Sequence, residues 1–183
     1  MMAELSGNGW ELLIERLSMH SRDELRRTYG RYSLFIDGRT VGIDGFMCEP
    51  HGPGDNQTPE NGKRVEPKRY TLFTHFGRYR TIGYADETAP PGADPMPAIR
   101  LEETGARTDI LIHPTYPAKP YLASIGCLNP AAALAAHEDN DFWDSRRRTI
   151  EIIESLRVFS PASFIADESL LIPNAAVIIE GEP

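Results

Sequence analysis

Tyr32-Ser-Leu-Phe-Ile36-Asp37-Gly38-Arg39-Thr-Val41 is the stretch that decides the fold class. β-Branched and aromatic residues run up to an Asp-Gly pair and resume beyond it. Asp-Gly tolerates the positive φ angles that a two-residue hairpin turn needs. Two antiparallel strands, 32–36 and 39–41, are therefore expected. Further short strands are expected at 45–49, 69–75, 79–84, 98–101, 109–112 and 175–179, separated by Gly- and Pro-bearing turns such as Gly77 and Thr104-Gly105. Segments 50–62 and 85–97 read as polar or Pro/Gly-rich loops, and loops of that length are commonly functional. The pattern predicts a mainly β (α+β) fold: a mixed β-sheet, sandwich or barrel-like, with one or two packed helices.

The flanks read as helical. Residues 4–17 carry Leu5, Leu12, Leu13 and Leu17 among charges, an amphipathic spacing. Ser21 with Glu24 has the form of a capping box for a second turn through Arg27, with Gly30 ending it. Residues 1–30 are thus expected as an N-terminal helical segment on a domain spanning 31–183, one compact unit overall. A second helix is expected from a cap at Asp144 or Ser145 through Leu156, with Ile150, Ile152, Ile153 and Leu156 inward. Trp10 and Trp143 are expected to pack helices onto the sheet.

Bulk properties narrow the partners. The chain has 183 residues and a formal charge of −8, which disfavours nucleic acid. The basic run Arg146-Arg147-Arg148 reads as a solvated helix face. No apolar run is long enough to span a membrane. Residues 1–20 show no basic start followed by an apolar stretch, so the expected route is cytoplasmic synthesis without a Sec signal. Cys48 and Cys127 are expected as free thiols.

The chemistry concentrates in Ile110-Leu-Ile-His113-Pro-Thr-Tyr-Pro-Ala-Lys-Pro-Tyr-Leu-Ala-Ser124-Ile-Gly126-Cys127-Leu-Asn129. A strand delivers a His at its end, a Pro-stiffened loop follows, and a turn brings back a Cys. A thiol is mostly protonated at neutral pH, and an imidazole can take its proton. Cys127 is the expected nucleophile and His113 its base, the two meeting as an ion pair. Gly126 permits a tight turn beside them, and amides of that turn, with Ser124, can face a developing oxyanion. For Ser124, bonding to the turn's own backbone is an equal alternative. Asn129, Arg107 and Arg100 are candidates for substrate binding, the arginines through a carboxylate. Cys48 reads as a structural thiol, because Cys48-x-x-His51 has no second half of a zinc site. His75 reads as a packing or surface residue with a possible place at the site, and His20 and His137 as exposed.

The segment resembles L,D-transpeptidase catalytic (YkuD) domains, which carry a strand-end His and a downstream Ser-His-Gly-Cys-x-Arg/Asn turn. His113 corresponds to the first His, and Ser124, Gly126, Cys127 and Asn129 to the turn; Val65-Glu-Pro67-Lys-Arg-Tyr70 resembles the family's strand entry. Ile125 stands where the turn usually has a His, and the His-to-Cys spacing is short. These features resemble a divergent branch of small proteins without signal peptides, some of them type VI secretion effectors. The resemblance implies acyl transfer on peptidoglycan stem peptides through a Cys127 thioester, with a backbone carbonyl orienting the base and no cofactor or metal. It implies a stem peptide as substrate, and a secretion-system component or an immunity protein as protein partner. Two other readings stay open: a zinc hydrolase using His75, His113 and Cys127, and a non-catalytic binding module on the same fold.

Overall fold

The computed structural model describes residues 4–76, 98–165 and 168–183. Three long strands, β1 (Trp10–Arg22), β2 (Leu25–Ile36) and β3 (Arg39–Pro50), form an antiparallel meander. The turn between β2 and β3 is the expected Asp37-Gly38 pair, with φ of 47° and 74°. Then come β4 (Arg69–His75), β5 (Ala98–Leu101), β6 (Ile110–Ile112), β7 (Asn129–Ala131), the helix α1 (Phe142–Phe159) and β8 (Leu171–Glu180). All eight strands lie in one mixed sheet of order β6-β5-β4-β8-β1-β2-β3-β7. Its end strands approach each other through a parallel bridge between Ile112 and Leu128. The result is a nearly closed, barrel-like sheet with one α-helix among the described residues, in line with the mainly β expectation. The expected 79–84 strand, the Gly77 turn and the 85–97 loop lie outside the described residues.

The N-terminus is not helical. Trp10, Leu12 and Ile14 alternate inward with no exposure, a period of two that Leu5, Leu12, Leu13 and Leu17 obscure. β1 pairs with β2 on one side and, in parallel, with β8 on the other, so it sits inside the sheet. Pairing on both edges outweighs the modest helix propensity of Leu and Glu. A register shift between Arg16 and Ser18 leaves Leu17 as an extra residue, half exposed, which is why its spacing looked helical. Ser21 lies in β1 and Glu24 in the two-residue hairpin turn, where Asp23 adopts φ 53°, so the two do not form a capping box. Gly30 ends no helix: it faces the bulge, where an added Cβ would sit 2.6 Å from the Glu15 carbonyl oxygen.

The core is made of inward strand residues, among them Leu34, Met47, Leu72, Ile99, Ile112, Leu128 and Val177, closed by Ile152, Ile153 and Leu156 of α1. The helix begins earlier than expected, because the Asp141 side chain accepts from the Asp144 amide as N-cap. Trp10 packs against α1, donating Nε1–H to Ser155 Oγ at 3.0 Å. Trp143 does not pack on the sheet and is 53% exposed. Of the basic run, Arg146 is buried, while Arg147 and Arg148 pair with Asp144. No described helix is long and apolar enough to cross a membrane. Outside the core, Tyr29, Cys48 and Ala131 form a small outer cluster. His20 stacks on Tyr29 at 4.4 Å and is half-buried, against the expectation of exposure.

Arg16 continues the inward row of β1 and is met by Glu49 of β3 in a two-pronged pair at 2.7 and 2.9 Å, both side chains buried. Glu49→Ala strands a buried guanidinium, so it should cost about 3–5 kcal/mol. Glu15→Ala, which frees the exposed Arg31, should cost less than about 1 kcal/mol. Equilibrium urea unfolding of the two variants checks the contrast, and equal losses would contradict it.

Candidate active site

The seam of the barrel is where the sequence-predicted pair sits. The Leu128 amide donates to Leu111 O at 2.9 Å, and the His113 amide donates to Leu128 O at 3.1 Å. Ile112 and Leu128 both enter the core. Side chains alternate along a strand, so Leu111 and His113 on one segment, and Cys127 and Asn129 on the other, turn to the outer face. Cys127 and His113 thereby share one face of the seam, diagonal to each other. Both border a cavity of about 740 Å³, which is also lined by His75, Arg107, Asp109 and Glu60.

The thiol is held by backbone. Cys127 Sγ accepts from the Leu111 amide at 3.4 Å and donates to Asp109 O at 3.5 Å. Burial pushes the thiol up to about 11, against the lowering pull of the Leu111 amide and the Arg107 guanidinium. His113 is buried, and its Nδ1 lies 2.7 Å from Pro114 O. A carbonyl only accepts, so Nδ1 carries the proton and the lone pair is left on Nε2, the tautomer a base requires. Burial pushes His113 down to about 4, with the Pro114 hydrogen bond acting in the opposite sense. In the resting protein the proton therefore stays on sulfur and the imidazole is neutral. The expected ion pair is replaced by two uncharged partners.

The remaining predicted residues divide into those that build the seam and those that do not reach it. Asn129 is buried and its Nδ2 donates to His113 O at 2.9 Å and to Pro114 O at 3.3 Å. It braces the backbone that carries His113 instead of facing the cavity as a free binding group. Ser124 Oγ donates to Cys127 O at 2.9 Å and accepts from the Gly126 amide at 3.5 Å, so Ser124 and Gly126 are engaged in their own turn and not aimed as an oxyanion hole. An added Cβ at Gly126 would lie 2.2 Å from Arg107 Nη2 and 2.8 Å from Ile110 Cδ1, so a larger residue there would have to displace both side-chain ends. Arg107 is buried, with Nη2 on Ile125 O at 2.9 Å and Nη1 on Asp55 O at 3.3 Å. It braces the turn and sets a cation near the thiol. Arg100 does not line the cavity; it pairs with Glu102 at 2.5 Å and lies over the Phe73 ring.

Cys48 is buried in the outer cluster with its thiol pushed up to about 11 by burial. His51 lies against Gly52 O and borders a different cavity. Among the described residues no three His, Cys, Asp or Glu side chains group to hold a metal, so His75, His113 and Cys127 share a cavity without forming the metal-binding cluster that the zinc reading needs.

Two cavity residues, Asp109 and Glu60, escaped the sequence reading, and a third, His75, was read mainly as a packing or surface residue. His75 ends β4, Asp109 precedes β6 with φ 54°, and Glu60 comes from the 50–62 loop with φ 48°. They lie far apart in sequence and share no motif. The signal that could have flagged His75 is its place at the end of an alternating strand, the same context that singled out His113. At the helix N-terminus, Ser145 Oγ accepts from the Thr115 amide at 2.9 Å and donates to Pro130 O at 2.5 Å. It ties both seam segments to α1.

No protein-family model matches the chain, and no curated protein or solved structure is found to be similar to it.

Two outcomes follow from these environments. Iodoacetamide should label half-buried Cys127 ahead of buried Cys48, with a rate rising about tenfold per pH unit from pH 7 to 9, since only thiolate reacts; a plateau by pH 7 would mean an activated thiol. The folded value of about 4 for His113 lies below its ordinary 6.5. The unfolded chain thus binds the proton more tightly between those values, and stability is lost as pH falls through that window. The loss amounts to on the order of 3 kcal/mol. His113→Gln should flatten that limb in urea titrations at pH 7 and pH 4.

Proposed function

We propose that the chain is a cysteine acyltransferase of L,D-transpeptidase type, which takes an acyl group from a peptidoglycan stem peptide onto Cys127 and passes it to an amine or to water. The observation that carries the reading is one cavity bordered by a thiol and by an imidazole whose Nδ1 is committed to a backbone carbonyl. The substrate class is supported by the Ser124-Ile125-Gly126-Cys127-Leu128-Asn129 turn. It is supported too by a lining that mixes carboxylates (Glu60, Asp109) with a guanidinium (Arg107), which suits the zwitterionic centres of stem peptides.

Because the resting pair is neutral, the thiol proton moves to His113 Nε2 as the sulfur–carbon bond forms, by general-base catalysis. The tetrahedral adduct then collapses: the carbon–nitrogen bond breaks, and His113 returns the proton to the departing amine. A thioester and a neutral imidazole remain. Since peptidoglycan lies outside the cytoplasm, the proposal includes export, with the protein acting as an antibacterial effector carried by a secretion system and neutralised by an immunity protein.

Incubation with purified tetrapeptide stems, followed by intact-protein mass spectrometry, tests the reading. Wild type should carry an acyl adduct that Cys127→Ala lacks, and His113→Gln should form it about 10²–10⁴-fold more slowly. Wild type that forms no adduct and leaves muropeptide masses unchanged would sink the enzyme. A second reading, a binding module, is favoured by the neutral resting pair; it requires stem peptides to bind without any adduct.

A further inference from the structure

His75 stands in the same cavity as Cys127 and takes no part in acylation as derived above. It is 8% exposed, and its Nδ1 has no hydrogen-bond partner among the described residues. Buried nitrogens without partners are uncommon and ask for a ligand or water to complete them. Among the described residues Asp109 lies close, with Oδ1 3.9 Å from Nδ1, an ion-pair distance beyond hydrogen-bond reach. Asp109 also touches the nucleophile, since its backbone carbonyl accepts from Cys127 Sγ at 3.5 Å. One residue therefore contacts both the thiol and the neighbourhood of His75.

Strand register brings the two imidazoles into one row. His75 pairs with Ala98 across β4 and β5, and Ile99 pairs with Ile112 across β5 and β6. The same register carried one residue further sets Ala98 beside His113. Residues in register across antiparallel strands share a face, so His75 and His113 flank Ala98 on one face of the sheet.

We propose that His75 is the general base of the second half-reaction, taking the proton from the water or neutral amine that attacks the Cys127 thioester. The inference rests on the reading of Cys127 as the acyl carrier. At His113 the Nδ1 is met by the Pro114 carbonyl at 2.7 Å and the Asn129 amide nitrogen at 3.3 Å, whereas the imidazolium formed at His75 has the Asp109 carboxylate beside it. The charged and titratable groups around His75 are Asp109, Arg100 on β5, and Glu60, Arg107, His113 and Cys127 around the cavity. Burial lowers the His75 value, the Asp109 carboxylate opposes this, and the Arg100 guanidinium adds a smaller lowering. The resting imidazole is thus neutral and ready to accept.

The step balances as follows. An O–H or N–H bond of the nucleophile breaks and its proton goes to His75, while a new bond forms to the thioester carbonyl carbon. The adduct collapses, the C–S bond breaks and its electron pair returns to Sγ. The proton on His75 then reaches sulfur through water in the cavity, restoring the thiol and the neutral imidazole.

Pre-steady-state hydrolysis of p-nitrophenyl acetate separates the two halves. Wild type should show a burst of nitrophenolate from acylation of Cys127, then a slower steady release. His75→Gln should keep the burst and lose steady release by about 10²-fold, with acetyl-enzyme accumulating in the intact mass. Asp109→Asn, at a left-handed position that Asn accepts, should move the pH limb of steady release downward, which a structural role for His75 does not predict. A steady rate unchanged in His75→Gln, a burst lost together with it, or an unmoved limb in Asp109→Asn overturns the inference alone. A wild-type protein without a burst, or a burst that survives Cys127→Ala, overturns the acyl-carrier reading and this inference with it.

Discussion

The pairing of Ile112 with Leu128 is the contact on which the rest of the molecule depends. It brings together the two end strands of the sheet and, by the alternation of side chains, turns His113 and Cys127 onto one outer face. Sheet edges carry unpaired amides and carbonyls that invite wrong partners, and closing a sheet removes them. Here the closing bonds are also the ones that build the site. The Leu111 amide reaches sulfur on one side of the bridge, and Asn129 grips the carbonyls of His113 and Pro114 on the other. The barrel cannot open at this seam without separating Cys127 from His113.

Burial at the seam has an electrostatic consequence. The same low-polarity surroundings that close the barrel disfavour both thiolate and imidazolium, so each partner is held in its neutral form. A thiol held this way is shielded from adventitious oxidation and alkylation, which need the thiolate. In the proposed reaction it becomes a nucleophile only when a carbonyl carbon arrives to accept its electrons while the imidazole takes its proton. Arg107 moderates the penalty. Its guanidinium is close enough to favour the thiolate, yet its hydrogen bonds go to Asp55 and Ile125 carbonyls, so it stays fixed instead of pairing with sulfur.

The parts of this structure that were legible in the sequence are those encoded locally. Asp37-Gly38 announces its hairpin because only a few residue pairs tolerate both φ angles. The placement of Cys127 and His113 at one seam was legible because both segments fall within twenty residues and a Gly precedes the Cys. The N-terminal strand was misread because the bulge at Leu17 breaks its period of two, and the partners that overrule helix propensity, β2 and β8, lie far along the chain. Asn129 and Arg107 looked like substrate-binding residues because polarity is visible in sequence and burial is not. His75, Asp109 and Glu60 were invisible as a set, since only the folded sheet and the 50–62 loop bring them to one wall.

Arg107 also explains why that wall is more than a loop lying on a barrel. It joins Asp55 of the 50–62 loop to Ile125 of the Cys127 turn, and Asn56 ties the same loop to Ala106 by accepting its amide at 2.9 Å. The loop that supplies Glu60 is therefore coupled to the turn that supplies the thiol, and movement of one must be felt by the other. Ile125 holds its place at the rim, 63% exposed, where its side chain gives the cavity an apolar lip beside charged walls. The cavity that Cys127 borders thus sets the apolar Ile125 side chain beside the carboxylates of Glu60 and Asp109. The stem peptide of the proposed reaction, an acyl chain with an amino-acid centre at its end, would match that mixture of apolar and charged lining.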